Sequence, residues 1–285
     1  MFEKKTERLR TRVFESLGEF YQYAMYDKKH PEYTSDNNEY RPSSRDCSSW
    51  AGTETWDEAV SLALNGWTDG LNDLKYKINA DSKFIKGASN RFRMRNDVTG
   101  SFVDIDKYIQ GEPECMMEFE TRIEPRFATV FVSAGASACV DKKEILERGR
   151  KVLEVIDALE QNNIRTRVVQ IFAIENDENK EYTTIVCKDY QNRLDMESLN
   201  FAICNAAQLR RFAFAVWERA PRKWRDAMGF RQGWDGGYGR PLKSIKAAID
   251  ETMPTDEPHI VFDSGVADHY EHIDAQVEEL ISKGK

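Results

Sequence analysis

The sequence predicts a three-layer α/β domain over residues 126–285, in β-α-β-β-α order, preceded by a mainly helical region over residues 1–125. Three observations carry this expectation. Phe127–Ser133 and Ile164–Ile174 are β-branched and aromatic runs of strand length, and between them apolar residues recur at helical spacing. Strand, long helix and strand make a βαβ unit, whose strands run parallel. A third run, Tyr182–Cys187, follows after the short turn Glu175–Asn179, so the second and third strands form an antiparallel hairpin. Upstream, apolar residues fall at i, i+3 and i+4 rather than at i and i+2.

Taken in order, Glu3–Tyr26 carries Val13, Leu17, Phe20, Tyr21 and Ala24 at helical spacing. Residues 27–53 are polar and hold Ser, Asn and Pro without a period, which reads as a long loop. Thr55-x-x-Glu58 has the form of a capping box and opens a helix with Trp56, Ala59, Leu62, Ala63, Trp67, Leu71 and Leu74 on its stripe. Gly66 and Gly70 interrupt that pattern and either break the helix or let another element approach. A basic stretch, a short apolar segment Ser101–Tyr108 and the turn Gly111–Glu114 follow. In the second half Asp141-x-x-Glu144 caps the long helix, whose face is Ile145, Val152, Val155, Ile156 and Leu159. A helix over Met196–Arg219 stops at Pro221, a Gly-rich basic loop spans 221–241, and a helix follows over Leu242–Glu251. The strand His259–Phe262 and an amphipathic helix to Ile281 complete the order.

Composition excludes several classes. No apolar run approaches the ~18–20 residues of a membrane-spanning helix. The first residues lead into charge, so no secretion signal is visible. The 5 cysteines are unpaired by spacing, which argues against a disulfide framework or zinc ribbon and for a reducing, cytoplasmic setting. With a formal net charge of −8, the whole chain is not a general polyanion binder. The charge is uneven, however. Residues 206–246 hold 10 Lys plus Arg against 3 acids, and residues 247–285 reverse this with 10 acids against 2 lysines.

Motifs for chemistry are sparse. There is no G-x-S-x-G elbow, no Walker loop and no G-x-G-x-x-G after a strand. His269 and His272, beside Asp268 and with Asp263, have a spacing that metals use, but a solvated helix face has it too. No enzyme and no cofactor are expected. The basic aromatic loop is the better clue. Single-stranded nucleic acid is bound by cations that follow phosphates and by aromatic faces on which bases lie. Arg222, Lys223, Arg225, Arg231 and Arg240 would contact phosphates, and Trp224, Trp234 and Tyr238 would stack on bases. Arg91, Arg93 and Arg95 repeat the mixture earlier in the chain, around Phe92. Against this stands a structural reading in which Trp224 packs under the loop and its arginines are solvated or paired with the acidic C-terminal helix.

Phe14-Glu15-Ser16-Leu17-x-x-Phe20, Ser49-Trp50-x-Gly52, Glu58-Ala59-x-x-Leu62-Ala63-x-x-Gly66-Trp67 and Gly111-x-Pro113-Glu114-Cys115-Met116 together resemble an uncharacterised family of phage and prophage proteins. That resemblance implies a phage origin and carries no reaction. The β-α-β-β-α order is similar to von Willebrand factor A domains, which hold a metal with D-x-S-x-S after the first strand. Here the corresponding residues are Ser133-x-Gly135-x-Ser137, without the leading Asp, and a hard cation wants that carboxylate. The resulting expectation is a non-enzymatic phage accessory protein that binds single-stranded nucleic acid and assists transcription or replication. The alternative is a von Willebrand A-like module that docks a phage or host protein, such as a polymerase. An apolar patch rimmed by charge would favour the second, and a groove with exposed aromatics the first.

Overall fold

The computed structural model describes residues 1–25, 48–68, 71, 93–120, 126–230, 237–263 and 271–282. The chain opens with two strands, β1 (Phe2–Lys5) and β2 (Leu9–Phe14), paired antiparallel with Lys5 opposite Arg10. This corrects the helical reading of the N-terminus. Arg10, Arg12 and Phe14 share the buried face of β2, and two of these are arginines. A charged inward face hides the period of 2 from any hydrophobic pattern. Helix α1 (Leu17–Met25) begins only after the strand, and buries Leu17, Phe20, Tyr21 and Ala24 as their spacing requires.

After α2 (Ser48–Ala51), Thr55 caps α3 (Trp56–Asn65), its hydroxyl accepting from the Glu58 amide at 3.1 Å. The helix ends at Gly66, whose φ of 82° only glycine adopts without strain. A Cβ there would lie 2.7 Å from Glu197 Cβ, so the position needs glycine for space as well. A small antiparallel sheet follows, built from β3 (Arg93–Asp97), β4 (Phe102–Val103) and, after α4 (Ile105–Ile109), β5 (Met116–Glu120). Its order is β3-β5-β4. The region expected to be mainly helical therefore carries five strands among its described residues.

The second half follows its predicted order. Strand β6 (Arg126–Ser133) leads to α5 (Lys142–Gln161), where Asp141 and Glu144 form the expected capping box. Strands β7 (Ile164–Asn176) and β8 (Asn179–Lys188) come next. Strand β7 is parallel to β6, with Val168 opposite Val130, and antiparallel to β8. The single helix expected over Met196–Arg219 is instead three pieces. They are α6 (Met196–Cys204), a π-helical turn over Gln208–Ala213, and α7 (Phe214–Glu218). Asn205 breaks the run by adopting an extended backbone, and its carboxamide accepts from the Ala207 amide at 2.9 Å. Part of the expected basic loop is a short helix, α8 (Arg222–Ala227), started by Pro221. The remaining elements are β9 (Arg240–Pro241), α9 (Lys246–Thr252), β10 (His259–Phe262) and α10 (Glu271–Ser282).

One mixed sheet organises these parts, in the order β1-β2-β8-β7-β6-β10, with β9 paired to the end of β7. The N-terminal hairpin joins through β2, parallel to β8, so this sheet draws on both ends of the chain. One face carries the two larger cores, under α1, α7 and α8 on one side and α5, α6 and α10 on the other. Opposite them a smaller core gathers Phe131, Val169, Ile171 and Tyr182 under Ile245, Ala248 and Ile249. No helix among the described residues is long and apolar enough to cross a membrane.

Candidate interaction surfaces

Pro221 supplies a preset φ for the start of α8, and the helix then turns Trp224 inward. Trp224 is 3% exposed, and its indole N–H donates to Glu181 Oε2 at 2.7 Å. Glu181 lies 3.0 Å from the Arg12 guanidinium, and both side chains are fully buried. Arg12 also donates to the Val216 carbonyl at 3.1 Å. Trp224 is therefore core, not a platform for bases. Tyr238 is likewise committed: its ring stacks on Phe214 at 3.7 Å between centroids, and its hydroxyl donates to Glu218. Of the rings expected to stack on bases, Trp224 is thus buried and Tyr238 is half-buried.

The cations on α8 face outward, with Arg222 and Lys223 exposed and Arg225 half-buried. Arg240, exposed on β9, stands opposite Glu175 of β7. Asn176 and Asn179, at the β7–β8 turn, both donate to the Ala227 carbonyl and so hold α8 against that turn. Arg95 is exposed on β3, opposite Glu118, and the Arg93 backbone lies on the same strand. Arg91, Arg231 and Trp234 lie outside the described residues.

The fold adds cations that sequence reading left out of the site. Lys5 sits 5.5 Å from the Trp224 ring centroid, and the Arg8 carbonyl accepts from the Lys180 amide at 2.8 Å. Lys5 thus stands beside α8, and Arg8 lies by the β7–β8 turn that holds α8, whereas Lys4 pairs with Glu251 of α9 on the opposite face. They lie in the segment whose apolar spacing predicts a helix, so nothing local sets them on a sheet edge. Acids temper these cations: Arg8 pairs with Glu178 at 2.8 Å, Lys4 with Glu251 at 2.7 Å, and Arg222 lies 4.0 Å from Asp226.

A second surface lies on the small sheet. Asp104 caps α4, accepting from the Lys107 amide at 3.3 Å, with Asn96 donating to its other oxygen at 3.2 Å. Those donors hold the Asp104 carboxyl below its ordinary range, the Asn96 contact acting most strongly. Helix α4 buries none of its residues. Ile105, Tyr108 and Ile109, at i, i+3 and i+4, are 67%, 67% and 75% exposed. Val98 and Val103 are exposed alongside them. From Asp97 to Glu120 the chain carries 7 acids and 1 lysine. Asp106, Glu112, Glu114 and Glu118 are exposed in the same segment.

At the C-terminal ends of β6 and β10 the degenerate serine turn is accounted for by the fold. Ser133 is buried, the Ser137 hydroxyl accepts from the Cys139 amide at 3.4 Å, and Asp263 accepts from the Ile245 amide at 2.7 Å. No group of three or more His, Cys, Asp or Glu with metal-binding proximity occurs among the described residues. His272 is exposed on α10, and His269 and Asp268 lie outside the described residues. Beside this turn, Arg210 donates to the carbonyls of Trp50 and Val140 and covers the Trp50 ring, while the Trp50 indole donates to Ala138 at 3.1 Å. Arg211 donates to the Thr53 hydroxyl and carbonyl, each at 2.7 Å. Gly52 completes the clamp at φ 85°, where a Cβ would meet Asn205 Oδ1 at 2.6 Å. The Ser49-Trp50-x-Gly52 motif is thereby explained as a structural staple.

A family model described as a domain of unknown function (DUF7192) matches residues 3–283, and the chain belongs to that family. Neither a curated protein nor a solved structure matches it.

Proposed function

From membership of a family whose description assigns no activity, we propose that this chain is a non-enzymatic protein-interaction module, docking a partner on the α4 face. One observation carries the reading: three large apolar side chains share one helical face at 67–75% exposure on an element that buries nothing. Scattered apolar residues on a surface are ordinary, whereas a contiguous apolar face rimmed by charge is the composition of an interface. Base stacking has less support, because Trp224 is buried and the half-buried Tyr238 ring already stacks on Phe214. The test is a partner screen in lysate with cross-linking, comparing the wild-type chain with Ile105→Asp/Ile109→Asp. A partner retained equally by both would remove α4 from the site.

The strand order supports reading β8-β7-β6-β10 as a von Willebrand A-like arrangement, with its third strand antiparallel. In that reading β1 and β2 extend the sheet beyond β8, and the metal turn has become a packing turn. A phage accessory role in transcription or replication is consistent with docking a polymerase.

A second reading has its own observation. Lys5 lies against α8, which carries Arg222, Lys223 and Arg225, and Arg8 is by the β7–β8 turn that holds this helix, so distant segments bring together cations suited to following phosphates. In this reading nucleic acid is bound through its backbone, without stacking by Trp224 or Tyr238. Anisotropy of labelled single-stranded and duplex oligonucleotides over a salt series tests it. Arg8→Ala and Lys223→Ala should each lower the salt slope by roughly one unit; unchanged slopes would sink it.

A further inference from the structure

We propose that the occupant of the α4 face is a basic amphipathic helix of a partner protein; this rests on the reading of that face as a docking surface. Charge selects the partner. Between Asp97 and Glu120 the 7 acids outnumber a single lysine, and Lys107 is itself 3.7 Å from Glu112. Asp104 is engaged in capping, which leaves Asp106, Glu112, Glu114 and Glu118 exposed in the segment that carries the apolar face. Such an acidic segment repels nucleic-acid phosphates and the anionic surface of a membrane. It attracts Lys and Arg that flank an apolar stripe, and like-charged competitors are rejected by the same field.

Shape selects the helix. The adjoining sheet edge is β4, of two residues, too short to template an added strand. Ile105, Tyr108 and Ile109 instead form one ridge, and such a ridge packs between the i, i+3 and i+4 side chains of a second helix. Tyr108 adds a large apolar ring with a hydroxyl that can stay wet, a combination enriched at interface anchors. A ridge of five residues covers only about 7–8 Å of axis, about a turn and a half of a partner. Contact of that size belongs to the transient class, so affinity in the micromolar range is expected.

The experiment uses three labelled synthetic probes: an 18-residue amphipathic Leu/Lys peptide, the same pattern with Glu for Lys, and a scrambled Leu/Lys peptide without an apolar face. Each is titrated by anisotropy with the full chain, with Ile105→Asp/Ile109→Asp and with Glu114→Lys/Glu118→Lys. The proposal expects binding of the amphipathic basic probe alone, weakened several-fold by salt and by the lysine pair, and at least tenfold by the aspartate pair. The aspartate pair makes the chain more acidic, so simple charge attraction would leave binding unchanged or tighter. That result overturns the proposal and the docking reading together. Equal binding of the basic and acidic amphipathic probes, lost in the aspartate pair, overturns the basic partner and keeps the docking surface. No binding of any probe overturns both.

Discussion

Replacing Trp224 with Phe tests whether this ring belongs to the core or to a ligand. The substitution keeps an aromatic ring but deletes the N–H that reaches Glu181 Oε2 at 2.7 Å. Glu181 Oε1 faces Arg12 at 3.0 Å without an aligned hydrogen bond. The indole therefore gives the carboxylate a directional donor that the ion pair does not. A hydrogen bond to a charged group contributes about 1.5–3 kcal/mol, and the buried acceptor left behind cannot turn to water. The smaller ring adds roughly 1 kcal/mol of lost contact. The sum, about 2.5–4 kcal/mol, corresponds to a fall in Tm of roughly 5–16 °C on the scale of large domains. Urea denaturation followed by tryptophan fluorescence and a thermal scan by circular dichroism measure it. A double-mutant cycle with Glu181→Gln should then show coupling, since Gln keeps an acceptor for the indole but removes the charge that strengthens the contact. Wild-type stability together with weakened oligonucleotide binding would refute the argument and return Trp224 to the surface.

Other outcomes follow from single sites. Burial alone raises the Glu160 carboxyl, but the Lys188 ammonium at 2.8 Å and the Thr166 amide and hydroxyl more than offset it, so its pKa lies below the ordinary range. A lowered carboxyl contributes stability that is full above its unfolded value, about 4.3, and lost as pH falls through the folded one. Glu160→Gln should flatten the loss of stability on the acid side of about pH 5, and an unchanged acid limb in urea titrations would contradict this. Gly52→Ala places a Cβ 2.6 Å from Asn205 Oδ1 at φ 85° and should cost more than about 1 kcal/mol in denaturant unfolding. Burial pushes the Cys187 thiol up to about 12 and the Cys204 thiol higher still, whereas Cys139 is exposed. Iodoacetamide mapping by mass spectrometry at pH 8 should therefore modify Cys139 well before Cys187 or Cys204. Early labelling of Cys204 would show that α5 and α6 open locally.

The second half was largely legible because its signals are local. Phe127–Ser133 reads as a buried strand and Asp141-x-x-Glu144 as a cap from sequence neighbours alone, and both elements form where predicted. The helical stripe of α1 was equally plain, since Leu17, Phe20, Tyr21 and Ala24 are apolar and buried. Only the tertiary structure decided the start of the chain. Arg12 can occupy a core position in β2 because Glu181, from a strand far along the sequence, meets it there, and no local pattern carries that partner. The same distance problem governs the surfaces. Exposed or buried tryptophans look alike in sequence, and Trp224 was assigned by the carboxylate beneath it. The α4 face has an ordinary amphipathic spacing, and only the fold reveals that its apolar side faces outward. Amino-acid order sets the period of a face, whereas burial depends on what the rest of the chain brings against it.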